Sequence, residues 1–224
     1  MLRLPVLIIN FKTYRSAVGK EAYALAKICQ EVADETNIEI AVAAAVPDIK
    51  EIASQLSIPV LAQHVDPLGY GSHTGSVVPE HIKELGAVGT LINHSEKRIP
   101  RQDIQRTIEK CHECGLMTIV CAQDEDESED LSLLAPAAIA YEPPELIGGD
   151  ISVSASKPDV IEEAVRRINH HAKCGIIIVG AGIKTAEDVR RSIELGAKGV
   201  LLASGVTNAA DPKEAIRNLV SGLR

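Results

Sequence analysis

The chain is poor in aromatic residues: 224 residues hold no Trp, one Phe and four Tyr, 2% of the total. Its core must therefore be aliphatic, built from Val, Ile, Leu and Ala. Stacking of bases on aromatic platforms is not expected, which counts against single-stranded nucleic acid as a partner. Positive charge is also short, with 23 Lys and Arg against 31 Asp and Glu, a net charge of −8. Without a basic stripe, duplex DNA and anionic membrane surfaces are not expected partners either. Apolar runs such as Pro5 to Ile9 are strand-sized and fall far short of the ~18 residues of a membrane span. The N-terminus has no long apolar segment followed by a small-residue cleavage site, so a cytoplasmic location is expected. Five Cys make an odd count without the spacing of a disulfide scaffold, which suits reduced thiols.

What is present is an alternation of two periods. Pro5-Val-Leu-Ile-Ile-Asn10 is a continuous apolar run, as in a strand buried on both faces. Ala22, Leu25, Ala26, Cys29, Val32 and Ala33 then recur at helical spacing. Further strands are predicted near 38–44, 59–63, 88–92, 116–121, 137–141, 176–179 and 199–202. Further helices are predicted near 47–55, 79–85, 101–114, 128–134, 158–173, 185–195 and 212–221. Eight βα units in 224 residues leave 28 residues each, near the ~30 of a compact βα repeat. Such a series folds as a closed (β/α)8 barrel or as a doubly wound open sheet. The barrel is favoured, because Asn10-Phe-Lys-Thr-Tyr14 follows the first strand where a dinucleotide binder carries G-x-G-x-x-G. Thr185-Ala-Glu-Asp188 has the form of a capping box, and Pro212 suits a first helical turn. No linker or composition shift divides the chain, so residues 1–224 are expected to form a single α/β domain.

In a βα barrel the active groups sit on the loops after the strands. The polar residues there are Asn10 and Lys12 after the first strand and Asn93-His94-Ser95-Glu96-Lys97-Arg98 after the fourth. Tyr141-Glu142-Pro143-Pro144 follows the sixth, Gly180-Ala-Gly182 the seventh and Ala203-Ser-Gly205 the eighth. The last two are small-residue turns before helices, where backbone N–H groups can approach an anion, so a phosphate site is expected there. A carboxylate opposite a His and a Lys suits proton abstraction beside a carbonyl, the Glu taking the proton and the two others stabilising charge on oxygen.

Asn10-Phe-Lys12, Thr74-Gly75, His94-Ser-Glu-Lys-Arg98, Tyr141-Glu-Pro143 and Ile147-Gly148, in that order and at those strand ends, make the whole chain resemble the triosephosphate isomerase family, its shorter archaeal members in particular. The resemblance implies reversible isomerisation of glyceraldehyde 3-phosphate and dihydroxyacetone phosphate in glycolysis and gluconeogenesis, with no metal and no organic cofactor. It implies that Glu142 is the base, His94 the electrophile and Lys12 the active-site cation. Asn10 would help position substrate, and Glu96 would orient the neighbouring charges. Residues 143–149 would be a lid, and Ile147, Gly148, Gly182, Ala203 and Ser204 would hold the phosphate. The long segment from His64 to Val78 would dock into a neighbouring subunit and bring Thr74 near its site, so a homotetramer, or failing that a homodimer, is expected. The sequence departs from the family's usual pattern in four places: Glu145 stands for a lid Trp, Val179-Gly-Ala-Gly182 for Tyr-Gly-Gly-Ser, Ala203-Ser204 for Gly-Gly, and Asn93 for Gly. The Ser hydroxyl and Tyr of the usual lid latch are thus absent.

Two other functions fit the same strand ends. A Schiff-base aldolase would need a Lys where the sixth strand has Glu142, and a catalytically silent sugar-phosphate sensor would have no need of both Glu142 and His94. Four remaining features read as structural. Cys111-His-Glu-Cys114 lacks the second ligand pair of a zinc site. His170-His171 lies late in a helix, where cations suit the dipole. The acidic run Asp124 to Asp130 reads as a solvated loop leading into a helix, and Cys121 as a packing residue near the site.

Overall fold

The computed structural model describes residues 2–143, 153–156, 158–171, 174 and 176–224. Eight strands pair in parallel and in sequence order, and β1 closes on β8. They are β1 Val6–Asn10, β2 Glu39–Ala44, β3 Val60–Ala62, β4 Gly89–Ile92, β5 Met117–Ala122, β6 Ala138–Tyr141, β7 Ile177–Gly180 and β8 Gly199–Leu202. Helices α1 Lys20–Thr36, α2 Val46–Gln55, α3 Pro79–Glu84, α4 Arg101–Glu113, α5 Glu125–Ser132, α7 Pro158–His171, α8 Ala186–Glu194 and α10 Pro212–Ser221 each follow one strand. Two one-turn helices, α6 Val153–Ser156 and α9 Ser204–Thr207, and a 3-10 turn at Arg15–Ala17 were not foreseen from periodicity, which a single turn is too short to display. The fold is the closed (β/α)8 barrel that the alternation predicts.

Strand side chains alternate between two cores. One set, with Val6, Ile8, Ala41, Ala43, Leu61, Leu91, Ile119, Cys121, Ala138, Ala140, Ile178 and Leu201, fills the barrel. The other set, with Leu7, Ile9, Val42, Ile92, Val120, Ile139, Val179 and Val200, packs under the helices. Branched aliphatics and Ala make up all of this buried set except Cys121, so large and small side chains share the interior without any ring. The one Phe, Phe11, lies under the helices and is fully buried.

The acidic run is a correction. Asp124 is the N-cap of α5, its side chain accepting the Glu127 N–H, and Glu125, Asp126 and Glu127 form the first helical turn. The helix thus begins three residues before the predicted 128, because carboxylates there meet unpaired N–H groups and the positive end of the helix dipole. The run is also paired: Glu127 with Arg98, Asp130 with Arg101, and Asp126 with Arg167. Thr185 and Asp188 form the expected capping box on α8.

Candidate active site

The period-two alternation that fills the barrel also builds the site. Continuing the inward set by one layer beyond Ile8, Ile119, Ala140, Ile178 and Leu201 reaches Asn10, Cys121, Glu142, Gly180 and Ala203. The mouth is therefore the last layer of the barrel interior, with polar and small residues in place of aliphatics. A cavity of about 50 Å³ opens on it, lined by Asn10, Lys12, His94, Glu142, Gly182 and Ser204, among others. A second cavity, about 340 Å³, adjoins it and shares Asn10, Lys12 and His94.

Lys12 is presented by a strained turn. Its φ is 48°, the left-handed region that a residue with a Cβ enters at a cost. Two bonds hold it there. Asn10 Oδ1 accepts the Lys12 N–H at 3.0 Å, and Gln63 Nε2 donates to the Lys12 carbonyl at 2.8 Å. The ammonium lies 2.7 Å from Glu96 Oε1. Asn10, buried at the end of β1, thus fixes the cation's backbone besides facing the cavity.

His94 follows β4 and is also buried. Its Nδ1 accepts the backbone N–H of Glu96 at 3.2 Å, so in this arrangement the ring proton sits on Nε2. That Nε2–H points across the mouth toward Glu142 Oε2, 3.8 Å away, beyond hydrogen-bonding range. Glu96 touches both partners, with Oε1 on Lys12 and Oε2 3.7 Å from His94 Nδ1.

Glu142 emerges from β6, its N–H donating to the Ala122 carbonyl at 2.8 Å. It is 7% exposed, and Oε2 has no hydrogen-bond partner among the described residues. A buried carboxylate oxygen without a donor is costly, and such a group facing a cavity is poised to accept a proton. Neighbouring Gly180 makes the room: a Cβ there would lie 2.5 Å from Glu142 Cγ. Burial, and then the negative charge of Glu142 together with a hydrogen bond to it, hold the Cys121 thiol well above its usual pKa. Cys121 is thus a neutral neighbour of the carboxylate, in keeping with the packing role.

The small-residue turns after β7 and β8 reach the same cavity through Ala181, Gly182, Ala203 and Ser204. Ala181 and Gly182 both have positive φ, 72° and 70°. Ile147, Gly148 and Glu145, where a lid is expected, lie outside the described residues. Thr74 is exposed on the loop between His64 and Val78 and lines neither cavity. That loop is braced at its base: Asp66 Oδ2 accepts the Val77 N–H at 2.7 Å, and His64 Nε2 lies 3.1 Å from Asp66 Oδ1. Sequence reasoning missed Gln63, although it is the polar residue directly after β3 and the rule applied to the other strands selects it. Among the described residues, no three His, Cys, Asp or Glu are grouped to hold a metal. Cys111 is buried, its thiol pushed up to about 12 by that burial, and all five Cys are unpaired.

A parallel barrel with a buried carboxylate, an imidazole N–H and an ammonium converging on one mouth has the architecture of a (β/α)8 enzyme. The model of the family described as triosephosphate isomerase matches residues 5–220. A triosephosphate isomerase of Methanobacterium bryantii is 46% identical over 219 residues, covering 98% of this chain and 97% of that protein. The one from Methanocaldococcus jannaschii is 46% identical over 215 residues, covering 96% and 98%. Among solved structures, triosephosphate isomerase from Bartonella henselae superposes with a TM-score of 0.74 over 97% of both chains, at 16% sequence identity, a likeness of fold. The chain belongs to the triosephosphate isomerase family and is an isomerase.

Proposed function

We propose that this barrel interconverts D-glyceraldehyde 3-phosphate and dihydroxyacetone phosphate, with Glu142 as the base, His94 as the electrophile and Lys12 as the cation of the site. Glu142 takes the proton from C2 of the aldose and leaves an enediolate. The charge that develops on oxygen meets the Nε2–H of His94 and the ammonium of Lys12. Proton exchange between the two oxygens moves the carbonyl from C1 to C2, and Glu142 returns its proton to C1. No atom is gained or lost. The observation that carries the assignment is the unpartnered Oε2 of buried Glu142, 3.8 Å from His94 Nε2 across the mouth. Gly182, Ala203 and Ser204 hold the phosphate, together with Ile147 and Gly148. Glu96 and Asn10 set Lys12.

The test is a coupled NADH assay of glyceraldehyde 3-phosphate isomerisation, with Glu142→Gln alongside. Loss of a general base removes about 10²–10⁴-fold in turnover. Turnover of the Glu142→Gln variant at the native rate, or no turnover by either protein while both bind inorganic phosphate, would remove Glu142 and the reading with it.

The same reading makes residues 1–224 one domain, cytoplasmic and self-associating, with a homotetramer preferred to a homodimer. Its support is the loop from His64 to Val78, braced at its base while Tyr70 at its tip is 62% exposed. A second support is the cavity beside the site, lined by Gln63, His64 and Val77, which the Thr74 loop of a second copy would enter. Light scattering on the active protein decides it, and a fully active 23.9 kDa monomer would refute self-association.

A further inference from the structure

Asn93 precedes His94 and lines neither cavity, yet it is only 2% exposed and its φ is 61°. Asn tolerates this left-handed region better than most residues, but Gly occupies it without cost. A side chain kept there next to a functional group points to work done by that side chain. Each end of it is engaged. Nδ2 donates to the Cys121 carbonyl at 3.0 Å, and Oδ1 accepts the Ile99 N–H at 3.1 Å. The Asn93 carbonyl accepts Arg98 Nη1 at 3.2 Å, while Arg98 Nη2 reaches Gln123 and Glu127 beyond β5. Through Asn93 the segment carrying His94 and Glu96 is closed on itself and tied to the end of β5. Glu142 is tied to the same place, its N–H on the Ala122 carbonyl.

We propose that Asn93 is a positioning residue that places His94 Nε2 relative to Glu142 and the substrate oxygens by locking the His94 loop to the Cys121–Ala122 end of β5. Both reacting groups then share one anchor, and their 3.8 Å separation is set through bonds to the end of β5, one from the Asn93 side chain and one from the Glu142 backbone, and not by mutual contact. The proposal rests on the reading of His94 as the electrophile.

Asn93→Gly keeps the backbone conformation accessible and deletes both side-chain bonds. Asn93→Asp keeps the acceptor for Ile99 and loses the donor to Cys121. Turnover, KM, melting temperature and the affinities for inorganic phosphate and for phosphoglycolate, a mimic of the enediolate, are measured for both, with His94→Gln alongside. Because small misplacements at a reacting centre are costly, kcat is expected to fall by about 10-fold in both. Phosphoglycolate affinity should fall in parallel, while KM and phosphate affinity stay within about two-fold. Native kcat in either folded variant overturns the proposal. So does an equal loss of phosphate and phosphoglycolate affinity, which marks general loosening. If His94→Gln retains native turnover, the reading of His94 itself fails, whatever the Asn93 variants do.

Discussion

Gly180→Ala is the sharpest probe of where the proton moves. Gly180 ends β7 beside Glu142, and its backbone is extended, so Ala brings no conformational penalty. The added methyl would sit 2.5 Å from Glu142 Cγ and 2.7 Å from Oε1. Ordinary van der Waals contact begins at 3.4 Å, so the side chain must retreat by about 0.9 Å. The β6 backbone is held in the ladder and by the bond to Ala122, whereas the Glu142 side chain faces a cavity, so the carboxylate is what moves. A displacement of about 1 Å at a reacting centre costs about 10²-fold, or about 2.7 kcal/mol of barrier. Overpacking a closed core costs about 1–3 kcal/mol. Here the cavity absorbs most of the strain, leaving about 1 kcal/mol and a drop in Tm of about 2–4 °C. The coupled assay should therefore show kcat down about 10²-fold, with inorganic phosphate inhibiting as in the parent protein, because the three atoms nearest the added methyl all belong to Glu142 and none to the residues proposed to hold phosphate. A kcat within about threefold of the parent, at that modest Tm loss, would refute the assignment of proton transfer to the Glu142 carboxylate.

Two further outcomes follow from the same framework. His64 is held below its ordinary pKa of 6.5, first by burial, then by the nearby Lys97 charge, against the pull of Asp66. The unfolded chain therefore takes up the proton first, and this contribution to stability is complete above about pH 6.5 and lost as pH falls below it. Tm should drop between about pH 7 and 5.5, less steeply in His64→Gln; identical slopes would dismiss His64 as the cause. Phe11→Ala removes the single Phe, fully buried between Asn10 and Lys12, and should cost about 3–5 kcal/mol, a Tm loss on the order of 10 °C by calorimetry. A loss under about 1 kcal/mol would show that this ring is not a working part of the helix-side core.

Much of the architecture was legible because a parallel barrel buries its strands on both faces, and short runs such as Val6–Asn10 and Gly199–Leu202 stand out against helical spacing. Boundaries were less so where a cap overrides composition. The Asp124–Asp130 stretch reads as solvated loop by polarity, yet its carboxylates satisfy a helix N-terminus and pair with Arg98, Arg101 and Arg167. Of the site, Asn10, Lys12, His94, Glu142, Gly182, Ala203 and Ser204 do converge on one cavity. Glu96 stands one contact behind, on Lys12 and His94. Thr74 is exposed and lines neither cavity of this chain.

What composition and spacing leave unwritten is the backbone geometry that aims these groups. Among the described residues five non-glycines have positive φ, and three of them, Lys12, Asn93 and Ala181, stand on the strand-end turns of the mouth. A turn that needs this conformation normally announces itself with Gly, and only the β7 turn does, through Gly182 beside Ala181. The compensation is visible only in three dimensions: Asn10 and Gln63 bracket Lys12, while Cys121 and Ile99 bracket Asn93. Each bracket joins residues from different strands or loops, so no local window contains it. The same holds for Gly180, whose missing side chain matters because Glu142 fills the space from the neighbouring strand. A sequence therefore displays which chemical groups a barrel carries to its mouth. The strain that aims them is stored in contacts between strands, and substitutions at Asn93 and Gly180, which carry no chemistry, are expected to cost turnover more than binding.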